Sequence, residues 1–378
     1  MSAAPNDCVN RLRHEVLDVL KQRFVGRAEV VELIALAVVA GEHLFLHGPP
    51  GTAKSALIRQ FAQAVHGSYF EYMLTRFSET NEIFGPIDLV RLREGTVTTV
   101  TTGMLPEAEF IFLDELFNAN SAILNNLLTV LNERVYRRGA DLHRLPVLSL
   151  FSASNHLPED DAFQALFDRF LLRCHVENLR RAEMPKLLQA GWALEQTGPI
   201  ECSITAAELR QLARQVYQVD LSAVAELYAD TVFKVRDLGI LFSDRRAVKV
   251  MKLVAASAVL CQRQQATASD LWVLRYVWDR EEQIDALAGL INGVLEGAGV
   301  QNNGHALAAL PDQVDAEALA RQLDALEERL RAGRPALREL ASIREQLADL
   351  GDDAAWVADE DTREHLQGRT RKLLETLA

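Results

Sequence analysis

Gly48-Pro49-Pro50-Gly51-Thr52-Ala53-Lys54-Ser55 (GPPGTAKS) is the stretch whose surroundings decide the fold. Upstream, Leu44-Phe45-Leu46 reads as a buried strand; downstream, Ala56-Leu57-Ile58 opens a helical pattern. Strand, glycine-rich loop and helix in that order are the context of a phosphate-binding loop. Backbone N–H groups of such a turn converge on phosphate oxygens, and the helix N-terminus adds the positive end of its dipole. Gly48, Pro50, Gly51, Thr52 and Ala53 would form the cradle. Lys54 would face the β and γ phosphates, and Ser55 would offer its hydroxyl to Mg2+. Ala53 stands where the motif usually carries its second glycine. Its Cβ is tolerated at negative φ and strained at positive φ. The alternative is a chance glycine-rich turn.

Downstream, Phe110-Ile111-Phe112-Leu113 runs into Asp114-Glu115. A continuous apolar run of this kind suits a central parallel strand covered on both faces. The acids then lie at its carboxyl end, where α/β sheets bind ligands. Asp114 is the natural Mg2+ partner beside Ser55, and Glu115 the natural base for a water attacking a γ-phosphate. Taken alone, the pair also fits a solvated turn. A further β-favouring run, Val147 to Ser152, ends in Ala153-Ser154-Asn155. The amide of Asn155 can hold a water or sense a phosphate, or merely form a turn.

Two arginine positions follow. Arg169, in LFDRF, falls at a helix-to-strand junction, where it can be presented to a neighbouring subunit and stabilise transition-state charge; pairing with Asp168 is the plainer reading. Arg245 and Arg246, in SDRR, open a strong helical pattern. An arginine there can reach bound phosphate, or sit on a solvated face.

This order of landmarks resembles the AAA+ ATPases. GPPGTAKS looks like Walker A, FIFLDE like Walker B, Asn155 like sensor 1, Arg169 like the arginine finger and Arg245 like sensor 2, with Arg246 as its substitute. The chain is more closely similar to the MoxR family and, within it, to RavA-type proteins. YMLTRFSETNEIFGPI, GMLPEAEFIFLDEL, ILNNLLTVLNERVYRRGA and SASNHLPE carry that likeness, over about residues 10 to 290. Ala53 fits this family. The resemblance implies ATP/ADP and Mg2+ as ligands, with Val25 and Gly26 beside the adenine. It also implies a homo-oligomeric ring, expected to be a hexamer, that remodels protein clients in a chaperone-like way. A von Willebrand factor A-domain (vWA) protein is the implied partner. RavA-type proteins carry a β-rich C-terminal module that finds no match here, so binding through it is not carried over. A DNA-acting AAA+ motor and a nucleotide-binding scaffold without turnover remain the alternatives. No Asn-Lys-x-Asp motif points to a GTPase.

Composition narrows the function classes. The 378 residues carry a net charge of −13, which favours protein partners over nucleic acid. Cys8, Cys174, Cys202 and Cys261 lack CxxC spacing and read as thiols of a reducing cytoplasm. Histidines such as His43, His47 and His66 show no ligand spacing, so Mg2+ is the only metal expected. The N-terminus lacks a secretory pattern, and no long uncharged apolar run suggests a membrane span.

The expected architecture is therefore an α/β P-loop core with a parallel five-stranded sheet over residues 1–181, with hairpin inserts near 86–103 and 133–146. A helical lid over 182–292, a linker over 293–311 and a C-terminal helical hairpin over 312–378 complete it. Both inserts are expected to face the ring's pore or the partner.

Overall fold

The computed structural model describes residues 5–138, 141–158, 160–179, 181–200, 202–299, 304–308, 316–331, 340, 343–344, 346–347, 350–351, 354 and 360–376. Its contacts divide the chain into two compact units, Met1–Ala308 and Ala309–Ala378.

The first unit is built on a five-stranded parallel sheet of order β2-β3-β6-β1-β7. The strands are β1 (Leu44–His47), β2 (Tyr69–Met73), β3 (Phe110–Asp114), β6 (Ser149–Ser154) and β7 (Leu172–His175). Every residue of β1 and β6 is buried, as continuous apolar runs covered on both faces should be. The edge strand β2 buries only Phe70 fully.

The Ala28–Ala40 helix is covered on nearly every side, and its one buried charge, Glu32, is paired with Lys21. One side lies on β1 and β7, and the Ala206–Gln215 and Asp244–Leu260 helices pack on the other. Everything from Val30 to Ala40 is buried as a result. Thr205-Ala206-Ala207-Glu208 is a capping-box sequence, and the box forms, with Thr205 and Glu208 each accepting from the other's backbone N–H at the start of the Ala206–Gln215 helix.

The two inserts differ. Residues 133–146 form the expected hairpin, β4 (Val135–Arg138) antiparallel to β5 (Asp141–Arg144), with the expected turn at Gly139 outside the described residues. Residues 86–103 do not. A single antiparallel bridge, Ile87 with Thr99, closes a loop that contains a short helix, Leu89–Arg93. The Asp88 carboxylate accepts from the Val90 and Arg91 N–H groups and so nucleates a helical turn that β-propensity alone does not foresee.

The expected linker also starts later than its composition suggests, because the Ile284–Gly297 helix runs through its first residues. In the second unit, Leu319, Leu323 and Leu326 of the Ala316–Arg331 helix share a small core with Ile343, Leu347, Leu350, Ala354 and Leu366 of the Glu360–Thr376 helix. The turn expected at Gly333-Arg334-Pro335 and the helix end at Leu377 lie outside the described residues. Among the described residues, no helix is long and apolar enough to cross a membrane.

Candidate nucleotide site

Because β3, β6 and β1 are adjacent and parallel, their carboxyl ends bring Asp114, Asn155 and the Gly48–Ser55 loop to one edge of the sheet. A backbone bond fixes the junction, Gly48 N–H donating to Ser154 O at 3.1 Å. Gly48 has φ 148°, and a Cβ there would meet the Val176 carbonyl oxygen at 2.0 Å, so only glycine fits. Gly51, at φ 80°, has nothing within 4 Å of where a Cβ would lie. Pro50 beside it is exposed.

Ala53 has φ 62° and ψ 23°, the strained case that its Cβ makes costly. It caps the Lys54–Ala64 helix without a side-chain hydrogen bond, which leaves the first N–H groups of the helix for a ligand. The Lys54 ammonium donates to Gly48 O (2.9 Å), Pro49 O (2.8 Å) and Thr52 Oγ1 (3.3 Å). Burial lowers its pKa, opposed by the nearby charges of Asp114 and Glu115. Ser55 sits half-buried in the first helical turn. A bare cradle, uncapped N–H groups and a lysine folded over the loop fit the phosphates of a nucleotide. Ser55 and Asp114 supply the hard oxygen donors that Mg2+ prefers.

Glu115 is also held in the left-handed region, at φ 53° and ψ 49°, with its N–H donating to Asp114 Oδ1 at 3.0 Å. Strain of this kind concentrates at functional sites. Asn155 is exposed, and its Oδ1 lies 2.7 Å from His156 Nδ1. With the proton on Nδ1, His156 donates to the amide oxygen and leaves the Asn155 NH2 free to face a ligand.

Beside the loop, a cavity of about 300 Å3 is lined by Gly26, Arg27, Val30, His175, Val176 and Leu179, among others. Gly26, at φ 66°, packs so closely that a Cβ would meet Leu179 Cδ2 at 2.1 Å. Its neighbour Val25 is half-buried. Arg27 carries no motif signal, yet it ties the region together by donating to Thr52 O (3.2 Å), Gly26 O (3.1 Å) and Glu177 O (2.8 Å).

The expected arginines lie elsewhere. Arg169 lies three residues before β7; its Nε donates to Asn132 Oδ1 at 3.1 Å and its Nη1 to Ala165 O at 2.9 Å, with the Asp168 carboxylate of the plainer reading 3.5 Å away. Arg245 Nη2 donates to the same oxygen at 2.8 Å. Asn132 lines a cavity of about 490 Å3 with Gly41, Glu42 and His43, which precede β1, and Val147 and Leu148, which precede β6. This is the amino edge of the sheet, opposite the edge that carries the phosphate loop. Arg134, Arg210, Arg214, Lys249 and Lys252 line that cavity too.

Arg246 fails as a substitute phosphate reporter, because it is buried and already bound. It donates to Asp279 Oδ1 (2.7 Å) and Val277 O (2.6 Å). Arg173 of β7 reaches the same carboxylate, and the Leu241 N–H donates to its other oxygen at 2.6 Å. Burial pushes the Arg173 guanidinium down to about 9. Burial alone would raise the Asp279 carboxyl, but Arg246 and Arg173 together hold it below the usual range. The trio anchors the segment around Asp279 to β7.

Comparison with known proteins places this arrangement. A family profile described as the MoxR domain in MoxR-vWA-beta-propeller ternary systems matches residues 10–214, and one described as an AAA lid domain matches residues 224–291. A Methanocaldococcus jannaschii protein of uncharacterised function, MJ0079, is 37% identical over 273 residues, 71% of each chain. The Mycobacterium tuberculosis protein named Chaperone MoxR1 is 27% identical over 44% of this chain and 45% of its own. A crystal structure of a candidate ATPase from Cytophaga hutchinsonii shares the fold, with a TM-score of 0.62 at 16% identity, covering 79% of this chain and 97% of that one. With a profile spanning more than half its length and a relative this similar, the chain belongs to the MoxR family of AAA+ ATPases.

Proposed function

We propose that the chain hydrolyses ATP at the interfaces of a homo-oligomeric ring and uses the cycle to remodel a protein client. One observation carries this reading. The phosphate cradle and the Arg169–Arg245 pair held by Asn132 lie toward opposite edges of the same sheet, so in this reading a complete site needs two copies.

In this reading Lys54 gives up its loop carbonyls to bind the β and γ phosphates. Ser55 and Asp114 would hold Mg2+, which when bound neutralises charge across those phosphates. Glu115 orients and polarises the attacking water, and Asn155, oriented by His156, positions it. The cavity at Gly26 takes the adenine, with Val25 at its margin. Arg169 and Arg245 come from the neighbouring subunit, placed as a pair by Asn132. The sequence-based role for Arg245, acting on its own chain's nucleotide, gives way here to a role in trans. Residues 182–292 act as the lid over the 1–181 core, and the Arg173–Asp279–Arg246 trio transmits between them.

Finer points rest on resemblance. A hexameric ring and the RavA-like placement are supported only by the likeness of the motif runs to that family. A vWA-domain partner is supported by the ternary system named for the matching profile. The loop at 86–103 exposes Leu89, Val90 and Val97, which suits client contact. A cytoplasmic setting accords with four unpaired cysteines.

The test is steady-state ATPase activity against protein concentration, with mass by light scattering in ATP. Specific activity should rise as the ring assembles. Glu115→Gln should bind ATP without turning it over, and rapid hydrolysis by that variant would remove Glu115 from its role. Flat activity from a monomer would overturn the shared-site reading.

A further inference from the structure

His47 and His175 are the last residues of β1 and β7 and are paired across the two strands. Their rings lie 5.3 Å apart. Facing both is Glu281, whose Oε1 is 3.2 Å from His175 Nδ1 and whose Oε2 is 3.7 Å from His47 Nε2. One donor atom from each of the three falls within 4.8 Å of the others. Tetrahedral zinc, with bonds of about 2.0–2.1 Å, spaces its ligands roughly 3.4 Å apart, so small side-chain movements complete the site.

Three details favour a metal over a simple ion pair. The Nδ1 atoms of both histidines are buried without an aligned hydrogen bond, His175 Nδ1 having only the Glu281 carboxylate at 3.2 Å, a costly condition that coordination of His175 Nδ1 would relieve for that ring. The His175 Nε2 atom lies 3.5 Å from the exposed Glu177 Oε1, within reach of the outer-carboxylate contact that orients metal-binding imidazoles. Glu281 is half-exposed, which leaves an entry path and an open fourth position.

We propose that His47, His175 and Glu281 bind one first-row transition-metal dication of the zinc class. Two imidazoles and one carboxylate suit zinc, cobalt or nickel and disfavour Mg2+, which prefers all-oxygen ligands. The site is therefore chemically separate from Ser55 and Asp114. It lies one residue before the phosphate loop and joins β1 and β7 to the turn at Glu281. A bound ion would pin that turn to the strands that carry the nucleotide pocket.

Zinc titrated calorimetrically into chelator-treated full-length protein, with Mg2+ in excess, tests this directly. One ion should bind per chain. Glu281→Ala should weaken binding more than about tenfold, and His175→Ala should abolish it. His14→Ala, on a distant exposed helix, should leave it unchanged. Cobalt should give the intense visible absorption of a tetrahedral site in the wild type and lose it in Glu281→Ala. That variant sits at a half-exposed position, so its metal-free thermal melt should match the wild type and keep the test valid even if His175→Ala fails to fold. No bound ion, or wild-type binding and cobalt spectrum in Glu281→Ala, would overturn the proposal.

Discussion

The two edges of the central sheet present different chemistry. At the carboxyl edge, loops from β1, β3 and β6 converge, and their special residues are strained or bare: Gly48, Ala53 and Glu115 all have positive φ. At the amino edge Gly41 and Arg134 have positive φ as well, but the side chains are basic. Arg169 and Arg245 share the Asn132 amide oxygen, and five more cations line the cavity there. In the proposed reading, one edge offers N–H groups and carboxylates for phosphate and Mg2+ but neither Arg169 nor Arg245 to neutralise transition-state charge. The other offers the arginines without a cradle. In the proposed reading these are two half-sites that meet only between neighbouring copies.

Changes that separate the edges test this contrast. Arg169→Ala should cost about 10³-fold or more in turnover while leaving ATP affinity intact. Equilibrium binding of a fluorescent nucleotide beside steady-state rates separates the two effects. Wild-type turnover would sink the assignment in trans. Arg245→Ala should behave alike, whereas a weakened affinity in the isolated subunit would return Arg245 to its own nucleotide.

Asp279→Asn leaves Arg173 and Arg246 buried without their counter-charge. Chemical denaturation should show a loss of about 3–5 kcal/mol. Acid acts in the same direction. The Asp279 carboxyl titrates below its ordinary range in the fold, so its contribution is full above that range and is lost as pH falls through the folded value. Burial, with Arg134 nearby, pushes the His43 imidazole from 6.5 down to about 3, so the fold keeps it neutral while the unfolded chain takes up a proton. Stability should therefore decline as pH drops from 6.5 towards 3, and His43→Gln should flatten the upper part of that decline in pH-dependent melts.

Asn132→Ala frees both arginines without removing either, and turnover should fall about tenfold through lost positioning. The smallest effect belongs to the opposite edge. Ala53→Gly relieves left-handed strain, and denaturation should report a gain of about 0.5–1 kcal/mol.

Local chemistry was legible in the sequence. The phosphate loop, the Asp114-Glu115 strand end and the Thr205–Glu208 cap each lie within a few consecutive residues, and the fold places them as read. Long-range pairings were not. Asn132 and Arg245 are 113 positions apart, and Arg173 and Asp279 are 106 apart. Arg245 and Arg246 are adjacent in sequence and look interchangeable, but the turn of their helix points one at Asn132 and the other at Asp279. His47 and His175 meet only because β7 pairs with β1. The loop at 86–103 was misread as a hairpin although Asp88, a helix-capping residue, carried the signal.

Mixing Glu115→Gln with Arg169→Ala tests the central claim most directly. Each variant alone should be inactive. In a mixed ring, the first contributes Arg169 to sites whose Glu115 comes from the second. Random assembly at equal amounts should restore activity to about a quarter of wild type. Mixed rings, confirmed by mass, that stay as inactive as either variant alone would contradict a site shared between subunits.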